Sequence, residues 1–88
     1  MRCKLVWTTA AWSDYLYWQG QDKKKTLKRI NLLIKDAMRN PEAGIGKPEA
    51  LKENLSGLWS RRIDDVNRLV YVIEKDQLVI IACRYHYA

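Results

Sequence analysis

With 88 residues, 48% of them hydrophobic and 30% charged, the chain has the size of one compact domain and a composition that excludes a disordered tail. Its formal charge of +6 points to a polyanionic or acidic partner, nucleic acid first among them. The longest apolar run, Leu78 to Cys83, is far too short to span a membrane, and one His with two scattered Cys gives no metal-ligand spacing.

Cys3 to Thr8 alternates apolar and polar residues and reads as a first strand. No apolar stretch of signal-peptide length develops before Thr8, and Cys3 and Cys83, each in an apolar run, read as buried thiols of a cytoplasmic protein. Thr8 or Thr9 can cap a helix running to about Gln19, with Trp12, Tyr15 and Leu16 on its inner stripe and Gly20 as its stop. Asp22 is a suitable N-cap for a second helix, whose Leu27, Ile30, Leu33, Ile34, Ala37 and Met38 recur at helical spacing until Asn40-Pro41 ends it.

From Asn40 to Pro48 two Gly and two Pro in nine residues demand a loop. Three strands follow, near Leu58 to Ile63, Asn67 to Glu74 and Gln77 to Tyr87, joined through Asp64-Asp65 and Lys75-Asp76. The predicted order is β-α-α-β-β-β, an α+β fold over residues 1–88 with a helical hairpin on one face of a mostly antiparallel sheet. The second helix segment carries seven basic residues against Asp22 and Asp36. That stripe reads either as a solvated face or as a surface for the phosphates of structured RNA.

If the hairpin pairs Arg62 with Arg68, alternation puts Trp59, Arg61, Ile63, Leu69, Tyr71 and Ile73 on one face and Leu58, Ser60, Arg62, Arg68, Val70 and Val72 on the other. The first set is the better core. Two guanidiniums then sit side by side on the outer face and need an anion between them, for which a scissile phosphate is suited; in another register they are unrelated surface arginines. His86, flanked by Tyr85 and Tyr87 and near Arg84, is a candidate acid among rings that can stack on splayed bases. The run Lys47-Pro48-Glu49-Ala50-Leu51-Lys52 places one carboxylate between two ammonium groups.

The segments Trp12-Ser13-Asp14-Tyr15-Leu16-Tyr17-Trp18, Gly46-Lys47-Pro48-Glu49, Asn54-Leu55-Ser56-Gly57, Trp59-Ser60-Arg61-Arg62-Ile63, Arg68-Leu69-Val70-Tyr71 and Tyr85-His86-Tyr87 together resemble the Txe/YoeB-type toxins of the RelE superfamily. The match runs in order over nearly the whole chain. It implies a RelE-like fold and an endoribonuclease without metal or cofactor that cuts messenger RNA in the A site of the small ribosomal subunit, against ribosomal RNA, and stops translation. It also implies a homodimer and a cognate acidic antitoxin of the YefM kind, with no membrane partner. Carried over by residue, Glu49 and His86 form the acid/base pair, Arg62 and Arg68 hold the phosphate, Lys52 and Tyr87 complete the site, and Lys47 and Arg61 add RNA contacts.

The chemistry implied is attack of the 2′-hydroxyl on its adjacent phosphate, leaving a 2′,3′-cyclic phosphate and a 5′-hydroxyl. Glu49 takes the 2′ proton or only orients the hydroxyl. The alternative is a non-catalytic ParE-type toxin acting by protein contact, a role that does not require Glu49, Arg62, Arg68 and His86-Tyr87 together. The chain departs from the family at Ala50, where Pro is usual, at Asn67, where His is usual, and in adding Ala88.

Overall fold

The computed structural model describes residues 3–85. Strand β1 (Lys4–Trp7) leads into helix α1 (Thr9–Gly20) and helix α2 (Lys24–Arg39), followed by β2 (Glu49–Ala50), a 3₁₀ turn (Glu53–Leu55), β3 (Trp59–Arg62), β4 (Arg68–Glu74) and β5 (Gln77–Ala82). Thr8 caps α1 as expected: its hydroxyl accepts from the Ala11 N–H at 3.0 Å and donates to the Ile81 carbonyl at 3.1 Å. One side chain thus satisfies a free helix donor and ties the helix start to β5.

Asp22 does not cap α2. It stands at φ 53 with its N–H on the Gln19 carbonyl, so it closes the end of α1, and Lys23 begins α2 without a side-chain cap. The link between the helices is too short to provide a separate stop and start, and Asp tolerates the left-handed conformation such a reversal needs.

Among the described residues the sheet has five strands in the order β1-β5-β4-β3-β2. β1 runs parallel to β5, pairing Leu5 with Leu78, and the other neighbours are antiparallel. Arg62 pairs with Arg68, the register on which the two-face reading depends. Two features differ from the expectation. Glu49 and Ala50 leave the loop to pair with Ser60 and Trp59, a strand too short for periodicity to reveal. β5 ends at Ala82 because the N–H groups that follow go to side chains: Cys83 N–H donates to the Asp14 carboxylate and Tyr85 N–H to Asn67 Oδ1.

Ile30, Leu33, Ile34 and Ala37 of α2 pack on Leu69, Tyr71, Leu78 and Ile80 of the sheet. The stripe of α1 is not the expected one. Ala11 and Trp18 are buried, whereas Trp12 and Leu16 are 47% and 44% exposed and Tyr15 is half-buried. Contacts with Cys83 decide this: the Trp18 indole N–H donates to its carbonyl at 2.9 Å, and its thiol lies on the Ala11 carbonyl. A helix with apolar residues all round offers no periodicity from which that choice could be read. Cys83 is fully buried, and burial, with the Asp14 charge adding to it, pushes its thiol up to about 12. Cys3 is only half-buried, and both thiols are free. No described helix is long and apolar enough to cross a membrane.

Candidate functional site

Cross-strand partners point to the same side of a sheet. Glu49 lies opposite Ser60, Ser60 opposite Val70, and Arg62 opposite Arg68. Arg61 faces α2, so this row of residues occupies the face away from the helices. Ser60 and Val70 are buried and form its floor, Arg68 is half-buried, and Glu49 and Arg62 are exposed. The Ser60 hydroxyl has no hydrogen-bond partner among the described residues. The ion pair found among those residues joins Arg61 to Asp36, and neither Arg62 nor Arg68 is paired with a carboxylate. Two facing guanidiniums without a counter-ion make a site for a phosphate-sized anion, with one carboxylate on the same face.

Arg61 takes no part in it, and its expected RNA contact is corrected. The side chain is fully buried, and its five N–H groups are all used. Nε donates to the Tyr71 hydroxyl at 3.0 Å, Nη1 to Asp36 at 2.5 Å and the Ile45 carbonyl at 3.1 Å, and Nη2 to the Asn40 and Ala43 carbonyls at 2.6 and 3.0 Å. Tyr71 extends the network by donating to the Pro41 carbonyl at 2.6 Å. The Arg61 hydrogen bond, seconded by the Ile45 N–H, holds the Asp36 carboxyl below the usual range. Burial raises the Tyr71 hydroxyl while Arg61 opposes the rise.

This network moulds the loop that delivers Glu49. Gly44 sits at φ 123, where an added Cβ would collide with the Asp36 carboxylate. Two residues on, the Gly46 carbonyl accepts from the Arg62 N–H at 2.7 Å and leads the chain into β2. Lys47 and Lys52 are exposed on either side of Glu49, and an open cleft of about 350 Å³ is lined by residues from Glu49 to Leu55.

At the other end of the arginine row, the Arg68 N–H donates to the Tyr85 carbonyl at 2.8 Å. Asn67 accepts from the Tyr85 N–H at 2.7 Å while its amide donates to Asp64 at 3.1 Å. Asp64 is partly desolvated, which raises its pKa, yet the donors of Asn67 and Val66 outweigh this and hold it low. His86 and Tyr87 lie outside the described residues. The structure thus brings Glu49, Arg62 and Arg68 onto one face, sets Lys47 and Lys52 at its border and removes Arg61. Ser60 and Asn67 were not among the sequence candidates, and only the β2–β3 register and the Tyr85 contact draw attention to them.

The fold is shared with chains as distant as YafQ from Escherichia coli, which superposes with a TM-score of 0.78 at 14% identity, and the class of toxin is set by sequence. The sequence profile of the YoeB-like toxins of bacterial type II toxin-antitoxin systems matches residues 7–87, and the chain belongs to this family. Toxin YoeB of Escherichia coli (strain K12) is 60% identical over 84 residues, 96% of this chain and 99% of that one. A YoeB dimer from Staphylococcus aureus superposes with a TM-score of 0.89 at 45% identity, covering 99% of this chain and 100% of that one. The YoeB-YefM complex from the same organism gives 0.87 at 45% identity, with coverage of 99% and 100%.

Proposed function

We propose that the chain is a ribosome-dependent endoribonuclease that cuts messenger RNA in the decoding site without a metal and so arrests translation. The observation that carries this reading is the pairing of Arg62 with Arg68 on the face that also bears Glu49. Such a face can hold a phosphate, stabilise the charge that builds on a phosphorane and offer a carboxylate to the neighbouring 2′-hydroxyl. Lys47 and Lys52, exposed beside Glu49, add phosphate contacts along the strand. His86 is the acid that protonates the leaving 5′ oxygen, and Tyr87 completes the site. Because the ribosome aligns the RNA, proximity supplies part of the rate, and Glu49 need not be a strong base.

The family and the S. aureus complex support two partner proposals: an acidic YefM-like antitoxin that covers the cationic face, and a second copy of this chain. The reading also places the protein in the cytoplasm, where its substrate is.

The test is a primer-extension map of one messenger RNA, on ribosomes and free in solution, after exposure to the purified chain. Cuts confined to ribosome-bound RNA, bearing 2′,3′-cyclic phosphate ends and abolished by a 2′-deoxy sugar at the cut site, are expected. His86→Gln lowers the rate by roughly two to four orders of magnitude, since a glutamine cannot deliver a proton near neutral pH. Translation arrest with intact RNA would instead assign the chain to toxins that act by binding.

A further inference from the structure

We propose that Asn67 is a positioning residue: its amide latches the backbone of Tyr85 to the β3–β4 hairpin and so fixes where the chain enters His86. The inference rests on the RNA-cleaving reading above, in which His86 is the acid, and adds to it the device that aims that acid.

Tyr85 is the residue before His86, and its backbone stands at φ 65. A bulky residue adopts this left-handed conformation only when its surroundings impose it. Both of its main-chain polar groups are held, and by adjacent residues: Asn67 Oδ1 accepts from its N–H at 2.7 Å, and its carbonyl accepts from the Arg68 N–H at 2.8 Å. That carbonyl belongs to the peptide that joins His86, so the residue that carries the phosphate-binding guanidinium also fixes the plane of that peptide. One residue upstream, the Arg84 guanidinium carbon lies 3.4 Å from the centroid of the Tyr17 ring on α1.

Asn67 can hold Tyr85 because the hairpin holds Asn67. Its N–H donates to Asp64 Oδ1 at 2.6 Å, and its carbonyl accepts from the N–H groups of Ile63 and Asp64 at 2.9 and 3.2 Å. Its side-chain NH2 reaches both Asp64 carboxylate oxygens, at 3.2 and 3.1 Å. An ionised carboxylate only accepts and a main-chain N–H only donates, so the amide must turn its NH2 to Asp64 and its oxygen to Tyr85. The turn that sets Arg68 opposite Arg62 thereby also sets φ at Tyr85. Without the Asn67 acceptor the Tyr85 N–H is free to turn, φ relaxes to the negative values that a tyrosine prefers, and the direction in which the chain leaves toward His86 changes. Moving a reacting group by about 1 Å costs on the order of a hundredfold in rate.

The experiment compares the parent chain, Asn67→Leu, Arg68→Ala and His86→Gln on ribosomes programmed with ordinary messenger RNA or with RNA that has sulfur in place of the bridging 5′ oxygen at the cut. In both, the 2′ oxygen gives up its proton and bonds to phosphorus while the bond from phosphorus to the 5′ atom breaks. A 5′ oxygen needs a proton from the acid to leave, whereas sulfur leaves as a thiolate and needs none. Asn67→Leu is expected to cut ordinary RNA with kcat lowered roughly ten- to a hundredfold and KM unchanged. On the sulfur substrate it recovers the parent rate, as His86→Gln does, while Arg68→Ala stays slow on both. Asn67→His offers an acceptor to Tyr85 and a donor to Asp64 while its imidazole is neutral, and keeps the parent rate on ordinary RNA at about pH 8. An Asn67→Leu as fast as the parent on ordinary RNA overturns the latch and leaves the nuclease standing. One that stays slow on both RNAs acts on the fold or on the Arg68 clamp and overturns the latch as well. A parent chain that cuts neither RNA sinks the nuclease reading itself, and the latch with it.

Discussion

Arg61 and Arg62 are adjacent in sequence and have opposite fates, because successive residues of a strand point to opposite faces. Arg61 is fully buried with a carboxylate, a phenol and three carbonyls around it, while Arg62 is exposed opposite Arg68. Arg61→Leu would take this donor from the Asn40, Ala43 and Ile45 carbonyls and leave Asp36, which is 26% exposed, with the Ile45 N–H alone, a loss of about 1–3 kcal/mol. The urea midpoint of this variant should therefore fall steeply. Arg68→Ala removes a half-buried cation that has no carboxylate partner among the described residues. It should leave the unfolding free energy within about 1 kcal/mol of the parent while lowering cleavage by roughly two to three orders of magnitude. A folded Arg68→Ala that still cuts normally would remove the phosphate clamp from the mechanism.

Among the elements, the loop between α2 and β2 carries the most consequence, since it sets where Glu49 enters the sheet. Its shape depends on Gly44, where a side chain would meet the Asp36 carboxylate in a backbone region that L residues avoid. Gly44→Ala should destabilise the fold by about 1–3 kcal/mol and reduce cleavage further, by shifting Glu49. Gly20, in the last turn of α1, has nothing within 4 Å of an added Cβ. Gly20→Ala should raise stability by about 0.5–1 kcal/mol and leave cleavage unchanged. Thermal melts and single-turnover rates of the pair, measured side by side, separate the two outcomes; a Gly44→Ala protein as stable and active as the parent would contradict the role given to the loop.

For the molecule as a whole, pH acts from both sides. Asp36 and Asp64 have folded pKa values below the ordinary 3.8. Their contribution is complete above the unfolded value and is lost as pH falls through the folded one, so stability should decline below about pH 4. Cys83 works in the opposite sense. Its thiol is raised from 9.0 to about 12, so the unfolded chain ionises first and stability should fall as pH climbs above 9.0. Urea titrations across pH check both arms: replacing Asp36 and Asp64 by Asn should flatten the acid one, and Cys83→Ala the alkaline one. The net charge of +6 also predicts that an acidic antitoxin binds more weakly as salt is added, and an affinity indifferent to ionic strength would point to an apolar interface.

Local patterns were enough to determine much of this protein. Spacing of apolar residues marked α2, a hydroxyl at Thr8 marked the start of α1, Gly and Pro marked the loop, and alternation separated the two faces of the β3–β4 hairpin once Arg62 met Arg68. Motifs in order supplied the family, which residues 7–87 match. What only the tertiary structure decided is where those patterns compete or fall silent. Alternation put Arg61 on the core face and Arg62 on the outer one, but only Asp36 and the loop carbonyls show that the Arg61 charge is spent inside the fold and not on RNA. α1 is apolar on every side, and its buried stripe was chosen by Cys83. β2 is two residues long and exists because β3 offers it partners. The latch of Asp64, Asn67 and Tyr85 spans 22 residues from first to last, and its bond between Asn67 and Tyr85 becomes visible only when the chain has folded back upon itself.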